Sequence, residues 1–200
     1  MAPLSFDLRH YSFMMALDAL IDAFRVALSA MDDQLLRAHA DMAAHGQYLA
    51  TGGDDGAVYI DDHYSHDTAD LLMMEHSDAS SAARAIREAF VISLFHLWER
   101  SARSWVKCEE QSYAKLAKAL RAAGLPIHQK MATLNDLSNF LKHANKSKRD
   151  ETRRKLREYI TGPLLVVNIS DEKIEKIIGY IRASSPLAGS LNVSVANESQ

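Results

Sequence analysis

Glycine, proline and cysteine are scarce in this sequence, and each scarcity narrows the class of protein. Only 8 glycines and 4 prolines occur in 200 residues, whereas alanine and leucine are abundant, and this balance favours helix over strand. The single cysteine, Cys108, excludes an internal disulfide, so the sequence does not imply an oxidising compartment. Hydrophobic residues make up 48% of the chain, which is enough for a sizeable core. The composition therefore predicts an all-α protein.

Long apolar runs and recognisable cofactor motifs are also missing. No uninterrupted apolar run approaches the roughly 20 residues that a membrane span needs. The first residues carry Asp7 and Arg9 within an amphipathic pattern, whereas a signal peptide has a basic end followed by an apolar stretch. There is no glycine-rich phosphate loop, no Gly-x-Ser-x-Gly elbow and no zinc pattern. We therefore expect a soluble cytoplasmic protein with no membrane partner, no cofactor and no resident metal.

The N-terminal quarter contains a sustained repeat of apolar residues. They alternate at spacings of four and three residues, at Leu17, Ile21, Phe24, Leu28, Met31 and Leu35. This period predicts one long helix, from about Leu4 to about Leu49, with a narrow apolar seam like that of a coiled coil. Because such a helix is long for a chain of this size, we expect part of it to pack against a second copy in a homodimer.

Shorter helices are predicted for most of the remaining chain. The most apolar, at about 80–108, has the broad stripe of a core helix and follows the potential caps of Ser77–Ser81. Residues 67–76 are expected to form only one or two turns. Other helices are predicted at about 111–123, 134–144, 147–159 and 171–183.

The breaks between these helices complete the expected architecture. The acidic loop at 51–67 matches no metal-binding template, and we expect it to be solvated. Residues 164–168 are expected to be extended but unpaired, because a lone strand has no ladder partner. The predicted fold is a helical bundle of about five or six helices with a long N-terminal helix. It forms a single domain at 1–185, followed by a disordered tail at 186–200.

The net charge of −3 conceals a strong asymmetry along the chain. Residues 1–80 carry 14 acidic and 3 basic residues, whereas residues 81–160 carry 8 acidic and 17 basic ones. One interpretation is that the acidic part packs beside the basic part, within the chain or across a dimer. The other is that the basic part forms a surface that meets nucleic acid.

The most informative stretch runs from Leu134 to Lys146. Leu134, Leu137, Phe140 and Leu141 are apolar at helical spacing, and Asn139, Lys142, His143 and Asn145 lie between and after them. The stretch leads into residues 142–157, which contain eight Lys or Arg and two acidic residues. Such polar groups at a helix end, followed by a basic segment, suit contact with a phosphate or another anion.

The segment Ser138-Asn139-Phe140-Leu141-Lys142-His143 resembles the signature of the HEPN superfamily (higher eukaryotes and prokaryotes nucleotide-binding). Its motif is an arginine, a polar residue that is often asparagine, three more residues and a histidine. Asn139 and His143 match the motif, whereas Ser138 stands at the arginine position. The apolar helix that carries Glu99 is similar to the helix that often supplies an acidic residue near such sites. The resemblance implies an all-α, often dimeric protein of toxin–antitoxin or phage-defence type that binds RNA or a nucleotide, in a superfamily in which many members are metal-independent ribonucleases.

The resemblance assigns expected roles to individual residues. Metal-free cleavage of RNA needs a group that moves protons, for which His143 is suited, and a cation that stabilises the phosphorane. With serine at 138, Lys142, Lys146, Arg100 or Arg103 would have to supply that charge, although lysine lacks the arginine fork. The candidate catalytic residues are His143, Asn139 and Lys142. The candidate nucleic-acid-binding residues are Lys146, Lys148, Arg149, Arg153 and Arg154.

Two alternatives stay open at this point. Asn139 and His143 share a helix face, so they are able to bond each other or nearby backbone without any ligand. The looser pair Arg121 and His128 also fits the motif spacing, but Gly124 and Pro126 lie between them. The alternative function is a non-enzymatic, dimeric interaction protein with a cognate protein partner and no nucleic-acid ligand.

Overall fold

The computed structural model describes residues 8–143, 154–161, 166–167 and 169–186. The predicted all-α class is confirmed, with a long N-terminal helix. The described residues form five helices: α1 (Leu8–Ala50), α2 (Thr68–Val106), α3 (Tyr113–Ala122), α4 (Met131–His143) and α5 (Asp171–Ala183). None of these helices is both long and apolar enough to span a membrane.

Two small antiparallel hairpins accompany the helices. Strands β1 (Val58–Ile60) and β2 (His63–His66) form the first, and β3 (Ile160–Thr161) and β4 (Val166–Val167) form the second. The prediction that 164–168 lacks a strand partner was wrong, because the chain turns back on itself and β3 supplies the ladder. The β1–β2 turn consists of Asp61 and Asp62, both with positive φ (49° and 63°), which aspartate tolerates better than most residues.

The chain divides into two compact units, and each is described separately. The first contains the described residues up to Ile21 and from Glu88 onward, and the second is Asp22–Arg87. The first holds most of the large buried side chains. They include Leu17 of α1, Leu94 and Trp98 of α2, Leu116 and Leu120 of α3, Leu134 and Leu137 of α4, and Ile174, Ile177 and Ile181 of α5.

Trp98 connects the C-terminal part of α2 to the end of the described chain. Its ring is fully buried, and its Nε1–H donates to the Ser184 carbonyl at 3.2 Å. The Ser184 hydroxyl in turn accepts from the His128 backbone N–H at 2.9 Å. These bonds satisfy polar groups that burial would otherwise leave unpaired, and they fix the ends of α5 and of the α3–α4 loop.

α2 is one continuous helix, so the prediction of a break at Ser77–Ser81 was wrong. The helix begins at Thr68, twelve residues before the predicted start at about 80, because Asp67 and Asp70 cap each other's backbone. The Asp70 N–H donates to Asp67 Oδ1 at 2.8 Å, and the Asp67 N–H donates to Asp70 Oδ2 at 3.4 Å. This is the reciprocal capping box with aspartates in both positions. The serines therefore lie within a helix that has already begun.

Other predicted boundaries differ by a few residues or fall outside the described residues. α3 is shorter than predicted, α4 begins at Met131 instead of about Leu134, and α5 matches the predicted 171–183. For the predicted helix at 147–159, residues 144–153 lie outside the described residues, while Arg154 and Lys155 are helical and Tyr159 lies in a turn. The predicted start of α1 at Leu4 and the predicted tail beyond Pro186 also lie outside them.

Part of the α1 seam is buried within a single chain. Ile21, Phe24 and Leu28 are each less than 10% exposed, whereas Met31 and Leu35 are partly exposed. The first three residues therefore belong to the core of one chain. Homodimerisation, through the rest of α1 or through another surface, stays a prediction.

Candidate functional site

The C-terminal end of α4 carries the three candidate catalytic residues on its solvent side. α4 buries Met131, Leu134 and Leu137, and this leaves Asn139, Lys142 and His143 exposed. Asn139 Nδ2 donates to Asn135 Oδ1 at 3.4 Å, one turn earlier. Lys142 and His143 lie in the last turn, where a positive charge is favoured by the helix dipole. The three side chains are accessible to a ligand.

Ser138, unlike these three residues, is buried, although Lys142 follows it by one helical turn. The Ser138 side chain is fully buried, and its Oγ has no hydrogen-bond partner among the described residues. The position that the HEPN resemblance would assign to arginine is therefore buried in this chain. An arginine there would have to bury a guanidinium, so the serine suits the packing of α4, and this position supplies no cation to an exposed phosphate.

Most of the predicted nucleic-acid-binding residues cannot be placed. Lys146, Lys148, Arg149 and Arg153 lie outside the described residues, whereas Arg154 is described and exposed. Farther along the segment, Lys155 Nζ lies 3.9 Å from Asp136 Oδ2, and about half of each side chain is exposed. An exposed ion pair of this kind contributes little to stability.

A second titratable cluster lies on α2. Glu99 accepts from Arg103 Nη2 at 2.7 Å, and His96 Nδ1 lies 3.3 Å from the other oxygen of Glu99. Arg103 also donates to the backbone carbonyls of Glu110 and Gln111. Arg103 thereby ties the end of α2 to the α2–α3 loop. These contacts favour a structural role for Arg103 over the charge-supplying role considered from the sequence.

The looser candidate pair does not form a site. His128 stacks on Tyr180 with ring centroids 4.5 Å apart, and its Nδ1 accepts from the Lys130 backbone N–H at 3.2 Å. The His128 imidazole therefore helps to pack α5 against the α3–α4 loop. Arg121 is exposed on α3, whereas His128 packs on Tyr180 of α5.

In the first unit, an open groove of about 450 Å³ lies between the start of α1 and the end of α2. Its polar lining consists of Arg9, Ser12, Arg100, Ser101 and Ser104, and its apolar lining includes Phe13 and Trp105. Phe13 and Trp105 meet edge to face, with centroids 5.4 Å apart. The sequence identifies Arg100 as a candidate cation and about 80–108 as a core helix, but one sequence does not indicate that they lie beside Arg9, 91 residues earlier.

The acidic loop is ordered by its own side chains. Asp54 Oδ1 accepts from the Gly56 N–H, and Asp55 Oδ1 accepts from the Ala57 N–H, both at 3.0 Å. The Tyr64 hydroxyl donates to Asp70, and this hydrogen bond raises the pKa of Tyr64 above its ordinary value. Within the described ranges, no three histidine, cysteine or acidic side chains converge as a metal site would require.

Comparison with known proteins gives no independent assignment. No protein-family model, no curated protein and no solved structure matches the chain.

Proposed function

We propose that this protein binds RNA through the exposed end of α4 and the basic segment at 142–157. The observation that carries the proposal is the exposure of Asn139, Lys142 and His143 together, at the point where eight basic residues begin. Apolar packing fixes α4 from the other side, so these side chains are held on a rigid element while their polar ends stay in solvent. Lysines and arginines that follow such an end suit the closely spaced phosphates of RNA.

The proposed activity is binding, with cleavage reduced or absent. His143 is accessible and has the chemistry to move a proton from a ribose 2′-hydroxyl. Stabilisation of the phosphorane needs a cation beside it, and Ser138 is buried and uncharged. Lys142, one residue before His143, is an exposed cation of this segment. Its ammonium group is a point charge and does not form the two parallel hydrogen bonds that an arginine guanidinium makes with a phosphate.

The test of binding uses two triple variants with the same loss of charge. In the first, Lys146, Arg149 and Arg153 become alanine. In the control, Lys115, Lys118 and Arg121 of α3 become alanine, and all three are exposed. We expect the first variant to bind single-stranded RNA at least tenfold more weakly, with a salt slope lower by about 2 for three lost phosphate contacts.

The control separates a specific surface from the overall charge. If the basic segment is the RNA surface, the α3 variant keeps nearly wild-type affinity. Equal losses in the two variants would mean that only net charge matters, and unchanged binding in the first variant would refute the proposed surface.

Cleavage is tested separately with wild type and His143→Ala in EDTA. Cleavage by wild type that disappears in the variant would make His143 the proton-transfer group, with another cation in the place of the motif arginine. Binding without cleavage by either protein is the expected result.

An interaction protein is the second candidate, and the first hairpin favours it. All three residues of β1 are exposed, with Tyr59 and Ile60 each at least 60% exposed, and Tyr64 of β2 is exposed as well. Exposed apolar residues grouped in this way are typical of protein-binding surfaces. Sedimentation of wild type and of the double variant Tyr59→Ser, Ile60→Ser tests it. A dimer that the double variant loses would support this candidate, and a monomeric wild type at micromolar concentration would count against self-association.

A further inference from the structure

Two histidines from different helices meet in the second unit. His39 lies on α1 and His76 on α2, 37 residues apart in the chain. Their Nε2 atoms are 3.1 Å apart, and their ring centroids are 4.5 Å apart with the planes inclined by 66°. His39 is exposed and His76 is partly exposed, so both nitrogen atoms are within reach of solutes.

The spacing of the two rings differs from that of a straight hydrogen bond. Such a bond of 3.1 Å would put the centroids about 5.3 Å apart, because each Nε2 lies about 1.1 Å from its ring centre. Two imidazoles bound to one ion, with metal–nitrogen bonds of about 2.0–2.1 Å and an angle of about 90–110°, have nitrogens about 2.9–3.3 Å apart and centroids about 4.5–5.1 Å apart. The observed nitrogen distance of 3.1 Å falls within its range, and the centroid distance of 4.5 Å lies at the lower limit of its range.

We propose that His39 and His76 bind one divalent transition ion of the Zn²⁺ or Cu²⁺ class through their Nε2 atoms. Neutral imidazole is a preferred ligand of these ions, whereas Mg²⁺ and Ca²⁺ prefer oxygen. No third histidine, cysteine or acidic side chain joins the pair in the described part of the chain, so water completes the coordination. The site is therefore open and exchangeable, unlike the closed four-ligand sites of structural zinc.

The site would join α1 and α2 within the second unit. Ala38 precedes His39 and is 5% exposed, and Ala79 lies one turn after His76 and is 2% exposed. Small side chains at both positions allow a close approach but bury little apolar surface. An ion held from both helices adds a link that this small interface lacks, so we expect binding to stabilise the second unit.

The test uses tag-free protein that has been dialysed against EDTA and then against metal-free buffer. Zn²⁺ is titrated by calorimetry and by thermal unfolding, and Cu²⁺ is followed by electron paramagnetic resonance. We expect one ion per chain, a rise in the unfolding temperature, and nitrogen hyperfine splitting from the bound Cu²⁺.

The variants His39→Gln and His76→Gln should each weaken Zn²⁺ binding by roughly tenfold or more, since one of the two ligands is lost. The matched control is His63→Gln, because His63 is an exposed histidine of β2 outside the pair. Circular dichroism in EDTA verifies that each variant is folded. Wild-type affinity in the His39 or His76 variant, equal weakening in the His63 variant, or no binding by wild type would each overturn the proposal and leave a hydrogen-bonded histidine pair.

Discussion

Ser138 holds a buried hydroxyl that has no hydrogen-bond partner in the described part of the molecule. We expect Ser138→Ala to raise the free energy of unfolding by up to about 1 kcal/mol, because it removes an unsatisfied polar group at little cost in volume. We expect Ser138→Arg to lower it by roughly 3 kcal/mol or more, through overpacking and burial of a charge. Urea unfolding of both variants measures the two effects.

The Ser138 pair also bears on the proposed function. A stable Ser138→Arg protein with new ribonuclease activity would mean that α4 is able to rotate its motif to the surface. That outcome would contradict the assignment of position 138 to the core.

Tyr159 provides a pH-dependent contribution to stability. Burial, with smaller effects of Glu158 and Tyr180, raises the pKa of its phenol above the ordinary value. The unfolded chain releases this proton near pH 10, whereas the folded protein retains it to higher pH, so the folded state is favoured less as pH rises above about 10. Wild type should therefore lose up to about 1.4 kcal/mol per pH unit there through this group, and Tyr159→Phe should lose less. Unfolding measured from pH 8 to 11 gives both slopes, and parallel slopes would contradict the effect.

At the level of elements, Ser170 begins α5. Its hydroxyl accepts from the Lys173 backbone N–H at 3.4 Å in an extended N-cap conformation. Because this bond is long, we expect Ser170→Ala to cost only about 0.5–1 kcal/mol, at the low end for N-caps, and Ser170→Asp to retain the stability. Thermal unfolding of the two variants tests the cap, because only aspartate retains a side-chain oxygen that accepts the hydrogen bond. Equal decreases in the unfolding temperature of the two variants would contradict the cap.

The helices differ in how well their boundaries can be predicted from sequence. α5 was predicted correctly because Ser170, Asp171 and Glu172 mark its start in adjacent positions. For α2, helical turns were predicted at 67–76 and a separate helix at about 80–108, so its continuity was missed rather than its beginning. Ser77–Ser81 look like caps, but a helix that is already hydrogen-bonded gains nothing by starting again.

Part of the candidate site was predictable from the helical period of α4. The apolar positions of α4 fixed which side faces the core, so the exposure of Asn139 and His143 follows from periodicity. Ser138 lies one turn after the buried Leu134, which favours its burial, whereas the exposure of Lys142, one turn after Ser138, does not follow from the period alone. The groove at Arg9 and the His39–His76 pair depend on contacts between distant helices, which one sequence does not specify.

At the scale of the whole molecule, the α1 seam determines stability within one chain. Phe24 is 7% exposed, so Phe24→Asp places a charge in a buried apolar position and should lower the free energy of unfolding by roughly 3–5 kcal/mol. If the seam instead joined two copies, the loss would depend on protein concentration. We expect the midpoint of unfolding of the variant to be the same over a hundredfold range of protein concentration. A midpoint that depends strongly on protein concentration would mean that the seam forms a dimer interface.

The acidic turn of the first hairpin has a consequence for solubility. A two-residue turn with positive φ at both positions is best served by Asn-Gly, yet this chain has Asp61 and Asp62. The neighbouring strand exposes Val58, Tyr59 and Ile60, and an apolar strand at a sheet edge is a template for intermolecular β-pairing. Two like charges at the tip repel a second hairpin that approaches in the same way. We therefore expect the two aspartates to oppose aggregation, at the cost of a less favourable turn.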